Sequence, residues 1–178
     1  MDHLTSLALA AGGGDREALA CFVRETQADV WRLVAHLVDR NDADDLTQEV
    51  YERAMRGLPA FRAESSARTW LLSIARRTCV DAIRRRGRIR VRDERLRVLA
   101  ADVPASIGQA AELEEALAGL DPDRRTAFVL TQLLGYSYAE AAEVCACPVG
   151  TIRSRVARAR ADLIEAWGLD AVAGSGEA

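Results

Sequence analysis

The stretch GYSYAEAAEVCACPVGTIRSRVARARADL, residues 135–163, decides how the second half of this chain folds. Ser137 followed three residues later by Glu140 is a capping box, in which each side chain accepts from the other residue's backbone N–H at a helix start. A short helix carrying Ala141, Ala142, Val144 and Cys145 follows, then a tight turn through Ala146 and Cys147. Pro148 is expected in the first turn of a new helix, where its missing N–H costs nothing. At 100° per residue, Ile152, Val156, Ala159 and Leu163 fall within about 60° of one another and form a buried stripe. Arg153, Ser154, Ala157, Arg158 and Ala161 then point away from it. A helix with arginines and small residues on its outer face fits a DNA major groove: Arg pairs bidentately with guanine, and small side chains permit close approach. Thr151, in the first turn, is placed to contact a phosphate. An ordinary solvated arginine face would explain a lone basic helix. The capped helix and short turn before this one favour DNA binding.

Outward from this motif, the chain has 178 residues, 24 basic and 27 acidic side chains and a formal charge of −3, room for one domain or two small ones. Every Lys or Arg position is Arg, as a GC-rich genome would produce. Hydrophobic residues make up 49%, enough for a core, while the 5% aromatic content is lean for a carbohydrate or cofactor pocket. Residues 76–97 hold ten Arg against three acids and residues 148–161 hold four Arg against none, whereas residues 39–52 hold six acids and one Arg. A modest net charge thus conceals two basic patches and one acidic patch, an arrangement suited to different partners on different surfaces. No apolar run reaches the roughly 18 residues of a membrane span, and the N-terminus lacks a basic leader region, so a cytoplasmic protein without membrane insertion is expected. Cys21, Cys79, Cys145 and Cys147 are too few and too irregularly spaced for a disulfide framework or a zinc site, and His3 and His36 stand alone. No metal or cofactor is expected.

Helical periodicity runs through most of the chain and no segment alternates like a half-buried strand, which predicts an all-α protein. Residues 16–38 read as a helix or helix pair. A second helix begins at Asp42, places Leu46, Val50, Ala54 and Leu58 on one stripe, and ends at Gly57 and Pro59. FRAESS (61–66) is a loop, and a long helix runs from about Ala67 to Arg86 with Trp70, Leu71, Ile74 and Thr78 inward. After an arginine-rich run, AADVPASIGQ is the expected linker. The predicted organisation is an N-terminal tail (1–14), a helical domain (15–92), a flexible linker (93–110), a second helical domain (111–168) and a C-terminal tail (169–178). Each half, at roughly 60–80 residues, is close to the lower limit for a self-sufficient core.

Two further faces admit two readings each. On the helix from 42 to 58, Asp45, Gln48, Glu49 and Glu52 lie opposite the apolar stripe. They are either a solvated face near a helix N-terminus or an acidic docking stripe for a basic partner. On the helix from 67 to 86, Ser73, Arg76, Arg77 and Arg84 form a polar face that suits either solvent or nucleic acid, while Leu72, Cys79 and Ile83 extend the apolar surface.

Taken in order and at this separation, DADDLTQEVYERA (42–54), SARTWLLSIARRTCVDAIRRR (66–86) and the motif at 135–163 resemble an extracytoplasmic-function sigma factor of the sigma-70 family over about 150 residues. The resemblance implies two all-helical domains, region 2 and region 4, joined by a flexible linker. It implies docking of Asp45, Gln48, Glu49 and Glu52 on the β′ coiled coil of core RNA polymerase, and of region 4 on the β flap. It further implies base capture from the −10 promoter element by the loop carrying Phe61, Arg62, Ser65 and Ser66. Arg77 would help to read that element, with Arg76 and Arg84 on the DNA backbone. Arg153, Ser154, Ala157 and Arg158 would read the −35 element. Anti-sigma proteins are common in the resembling family, and the sequence marks no site for one. Ala157 is smaller than the side chain often found there, and Ala146 replaces a common glycine.

A linker of about 20 residues spans at most about 65 Å at 3.3–3.6 Å per residue, enough to join promoter elements almost two helical turns apart. Opening DNA is harder, at about 1.4 kcal/mol for each stacking step lost. Phe61 and Trp70 are the aromatic residues near the expected −10 surface, with Trp70 assigned to the buried stripe, so strand opening is expected to require core polymerase. Two other classes stay open: an autonomous helix-turn-helix repressor or activator, and a helical adaptor acting through protein contacts alone. An enzyme is disfavoured because no nucleophile–base pair, glycine-rich phosphate loop or metal-ligand cluster is legible.

Overall fold

The computed structural model describes residues 1–94 and 109–166, and within them every regular element is helical. Asp15 caps α2 (Arg16–Leu37) by accepting from the N–H groups of Glu17 and Ala18, and the helix runs unbroken, settling the choice between one helix and two. Phe22, Val30, Leu33, Val34 and Leu37 fill its buried face. The next helix, α3 (Arg40–Gly57), starts two residues earlier than Asp42, because Asp39 accepts from the N–H of Asn41 and caps it. Leu46, Val50 and Ala54 are buried along it as the four-residue spacing predicts, and Leu58 follows in a short 3₁₀ turn, Leu58–Ala60.

Two further boundaries depart from the sequence reading. Residues 1–14 are not a tail: His3–Gly12 form α1, capped by Asp2, which buries Leu4 and Ala8 against the core. At Gly12 a Cβ would stand 2.5 Å from the Leu58 carbonyl oxygen, so the absence of a side chain lets α1 lie against the 3₁₀ turn. The arginine helix, α4, runs from Ala67 to Glu94, eight residues past Arg86 and into the arginine-rich run. Arg favours helices intrinsically, and nothing in that run but Gly87 opposes propagation. Most of the expected linker, including the AADVPASI part of its sequence signature, and the C-terminal tail lie outside the described residues.

The second half comprises α5 (Gln109–Gly119), α6 (Pro122–Phe128), which passes into one π turn at Val129–Leu133, α7 (Tyr138–Cys145) and α8 (Val149–Ala166). The halves are not separate bodies. Leu130, Ala141, Val144, Ile152 and Val156 of the second share one continuous apolar core with Phe22, Leu71, Leu72 and Cys79 of the first. Two halves that are each small for a core thus bury apolar surface on each other.

Candidate nucleic-acid and polymerase interfaces

The capping box forms as read: Glu140 N–H donates to the Ser137 hydroxyl at 3.2 Å, and Ser137 N–H donates to the Glu140 carboxylate at 2.8 Å. The Ser137 hydroxyl, which donates to the Glu140 carboxylate at 2.7 Å, and then the Ser137 N–H hold that carboxyl below its usual range. At the turn, Ala146 takes left-handed backbone angles (φ 50°, ψ 48°), the conformation that glycine adopts without a Cβ penalty. Pro148 lies one residue before α8 rather than inside its first turn, and its carbonyl accepts from the N–H of Thr151 at 2.9 Å. Ile152, Val156, Ala159 and Leu163 are buried, while Arg153, Ser154, Ala157 and Arg158 are exposed together. Thr151 is half-buried, and its carbonyl accepts the Ser154 hydroxyl at 2.9 Å. Sequence periodicity missed Arg155, which is drawn sideways to Asp123 on α6 at 2.6 Å.

The surface expected to meet the −10 element is partly occupied. Phe61 is buried, and its ring meets Trp70 at a centroid distance of 4.9 Å and an interplanar angle of 41°. Trp70 is only partly buried, which corrects its assignment to the buried stripe. Gly57 leaves room for it, since a Cβ there would lie 3.1 Å from the indole. Arg62 is exposed, and Ser65 and Ser66 are half-buried. The Ser66 hydroxyl caps α4 by accepting from Thr69 N–H at 3.1 Å, so it has a structural task. Arg77 and Arg84 are exposed, and Arg77 folds back on Ser73. Arg76 is withdrawn from solvent: it donates to Asp123 at 2.8 Å with its side chain 18% exposed, and its Nε is buried without a partner. The open groove beside the loop, lined by Glu64, Ser65, Trp70 and Ser73, is bordered on its far side by Glu140 and Glu143 of α7.

On α3 the acidic face is exposed at Asp44, Asp45, Gln48 and Glu52, with Gln48 donating to Glu52 at 3.3 Å. Glu49 is half-buried and engaged by Arg53 at 2.6 Å and Arg85 at 3.5 Å, so it belongs to the contact between α3 and α4 more than to the open stripe. Further bonds cross between the halves. Arg125, desolvated enough to lower its pKa, donates to the His36 carbonyl at 2.6 Å; Tyr136 OH donates to Asp29 at 3.4 Å; Arg40 pairs with Glu114 at 2.9 Å. Burial pushes the Cys79 and Cys145 thiols up to about 12 and about 11, which keeps both protonated. No helix among the described residues is long and apolar enough to cross a membrane.

Comparison with known proteins joins these surfaces. Sigma-70 region 2 matches residues 22–89 and sigma-70 region 4 matches residues 110–163. The chain is 52% identical over 169 residues to the ECF RNA polymerase sigma factor SigC of Mycobacterium tuberculosis, covering 92% of this chain and 90% of that protein. The chain belongs to the extracytoplasmic-function sigma factors of the sigma-70 family. Its function is that of a sigma factor, which binds core RNA polymerase and directs it to promoter DNA. A more distant relative, the sigma-E factor of Escherichia coli, is 33% identical over 163 residues, covering 83% of this chain and 85% of that one. Among solved structures, the sigma factor RpoE of Bartonella quintana, in complex with the anti-sigma factor NepR, matches with a TM-score of 0.70 and 29% identity over 85% of this chain and 98% of that chain. CnrH, in complex with the cytosolic domain of CnrY, matches with a TM-score of 0.74 and 26% identity over 95% of this chain and 99% of that one. Region 2 of this sigma factor is thus built on α2–α4 and region 4 on α5–α8, with α1 ahead of the matched segment.

Proposed function

We propose that this sigma factor acts in the cytoplasm, with Asp45, Gln48 and Glu52 docking on the β′ coiled coil, region 4 docking on the β flap, and Arg153, Ser154, Ala157 and Arg158 reading the −35 element. Thr151 contacts a phosphate of that element. Phe61, Arg62, Ser65 and Ser66 belong to the loop for the −10 element, and Arg76, Arg77 and Arg84 to the helix beside it. Glu49 positions the docking helix through Arg53 and Arg85.

The observation that carries this reading is the segregation of charge: an exposed acidic face on α3 and an exposed arginine face on α8 serve partners of opposite charge within one chain. An autonomous repressor has no use for the first face, and an adaptor has none for the second. The contact between the halves supports a resting state in which −10 capture is withheld. Asp123 holds Arg76, and the carboxylates of Glu140 and Glu143 border the capture groove, where they repel phosphates. Arg76 retains a buried donor without a partner, a cost that release to a DNA phosphate removes. The test is run-off transcription with purified core polymerase on a promoter library. Wild type gives promoter-dependent transcripts, and Asp45→Arg gives none while −35 DNA binding persists. Retention of core binding by Asp45→Arg would remove the docking assignment.

A further inference from the structure

Trp31 on α2 is the most solvent-exposed aromatic side chain among the large hydrophobics of the described residues, at 38%. It is also held in place, because its indole N–H donates to the Asp44 carboxylate on α3 at 2.8 Å. That bond ties it to the exposed acidic stripe of Asp44, Gln48 and Glu52. On α3, Met55 lies about 20° around the helix from Asp44, by the 100° step, and is 45% exposed. The face of α3 is therefore not uniformly acidic: two large apolar side chains flank its carboxylates along one edge.

A rigid, partly buried Trp with a satisfied N–H loses little rotamer freedom when it is covered, and Trp is enriched among residues that dominate binding energy. Solvation of a free surface gives no reason to expose it. Its position on α2 matters as well. Trp31 is about 200° around the helix from Asp29, the residue that accepts Tyr136 of region 4. Region 4 thus covers one flank of α2 while the Trp31 flank stays open.

We infer that Trp31, positioned by Asp44, is the apolar anchor of the polymerase-docking surface, with Met55 about three helical turns farther along the same edge of α3. Its occupant is a helix that presents basic side chains to Asp45, Gln48 and Glu52 and a large apolar side chain to the indole. The inference rests on the polymerase-docking reading above and adds the residues that no acidic pattern marks. It also orders events: the docking surface is open while region 4 still holds Arg76, so core enzyme engages the closed chain first.

The test uses full-length protein and purified core polymerase. Hydroxyl-radical footprinting of the unmodified chain should show oxidation of Trp31 falling several-fold on addition of core enzyme. Trp31→Ala should weaken association by about tenfold to a hundredfold, the scale of truncating a dominant interface residue. Trp31→Phe, which retains the ring but cannot bond Asp44, should fall between. Thermal melts of both variants check folding, and the footprint needs no variant. Unchanged Trp31 oxidation in a formed complex, or a folded Trp31→Ala that associates within about twofold of wild type, would overturn the anchor while leaving polymerase docking standing. A wild-type chain that does not associate with core enzyme would instead remove the docking reading, and the anchor with it.

Discussion

The bridge between Arg76, Asp123 and Arg155 allows the contact between regions 2 and 4 to be measured. Asp123 accepts Arg76 at 2.8 Å from one region and Arg155 at 2.6 Å from the other. Hydrogen bonds to charged groups contribute about 1.5–3 kcal/mol each, but exposed ion pairs give only about 0–1 kcal/mol, and the Asp123 side chain is 41% exposed. An intermediate coupling between Arg76 and Asp123 of about 1–2 kcal/mol follows. Asp123→Ala strands two arginines, whereas Arg76→Ala removes one partner and also the buried, unpaired Nε. Arg76→Ala alone should therefore destabilise less than Asp123→Ala, and the double variant should be no less stable than Asp123→Ala. A double-mutant cycle by urea denaturation reads these values, and small-angle scattering reports whether the chain remains compact. It should, because Leu130, Ala141 and Ile152 still share the apolar core with region 2. A coupling below about 0.3 kcal/mol would be within ordinary additivity, and the two charges would then have no energetic link across the regions.

Other outcomes follow from single sites. Ala146→Gly relieves a left-handed Cβ penalty of about 1–2 kcal/mol against a glycine entropy cost of about 0.5–1, so it should raise the unfolding free energy by up to about 1.5 kcal/mol. Thr47 buries a hydroxyl with no partner, and Thr47→Val should raise the melting temperature, since an orphaned polar group costs about 1–3 kcal/mol. Burial lowers the His36 pKa, with Arg125 and Arg40 adding to the effect and Glu114 opposing it. The unfolded chain then binds the proton more readily, so this stability is present above about pH 6.5 and is lost as pH falls through the lower folded value. His36→Gln should flatten the melting temperature between pH 7.5 and about 5.5. Arg158→Ala should cost about 1–3 kcal/mol of promoter discrimination if it reads a base, and an unchanged sequence preference in a binding-site selection would make it a backbone contact.

The helix-turn-helix was legible because its determinants are local. The Ser137–Glu140 box, the turn and the Ile152–Leu163 stripe each depend on neighbours within one or two helical turns. The acidic face of α3 was legible for the same reason, since helical spacing alone puts Asp45, Gln48 and Glu52 on one side. The errors arose where a distant residue competes for a local one. Residues 1–14 read as a tail, yet Leu4 and Ala8 find a surface that only the folded α2–α4 unit supplies. Phe61 looks available in a loop, but Trp70 on the next helix covers it. Arg76 looks like a DNA ligand, and Asp123 takes it together with Arg155, which helical spacing did not single out. Glu49 fits the docking stripe by spacing, and Arg53 and Arg85 draw it away.

Helix positions, capping and the sign of each face follow from the order of residues, because propensity, periodicity and caps act over a few positions along the chain. Which charged side chains remain free for a partner does not follow from that order. An arginine binds whichever carboxylate the fold brings within about 3 Å, and that neighbour stands some 47 residues away for Arg76. Tertiary packing alone brings Glu140 and Glu143 of region 4 to the border of the groove beside Trp70 and leaves Trp31 uncovered on α2.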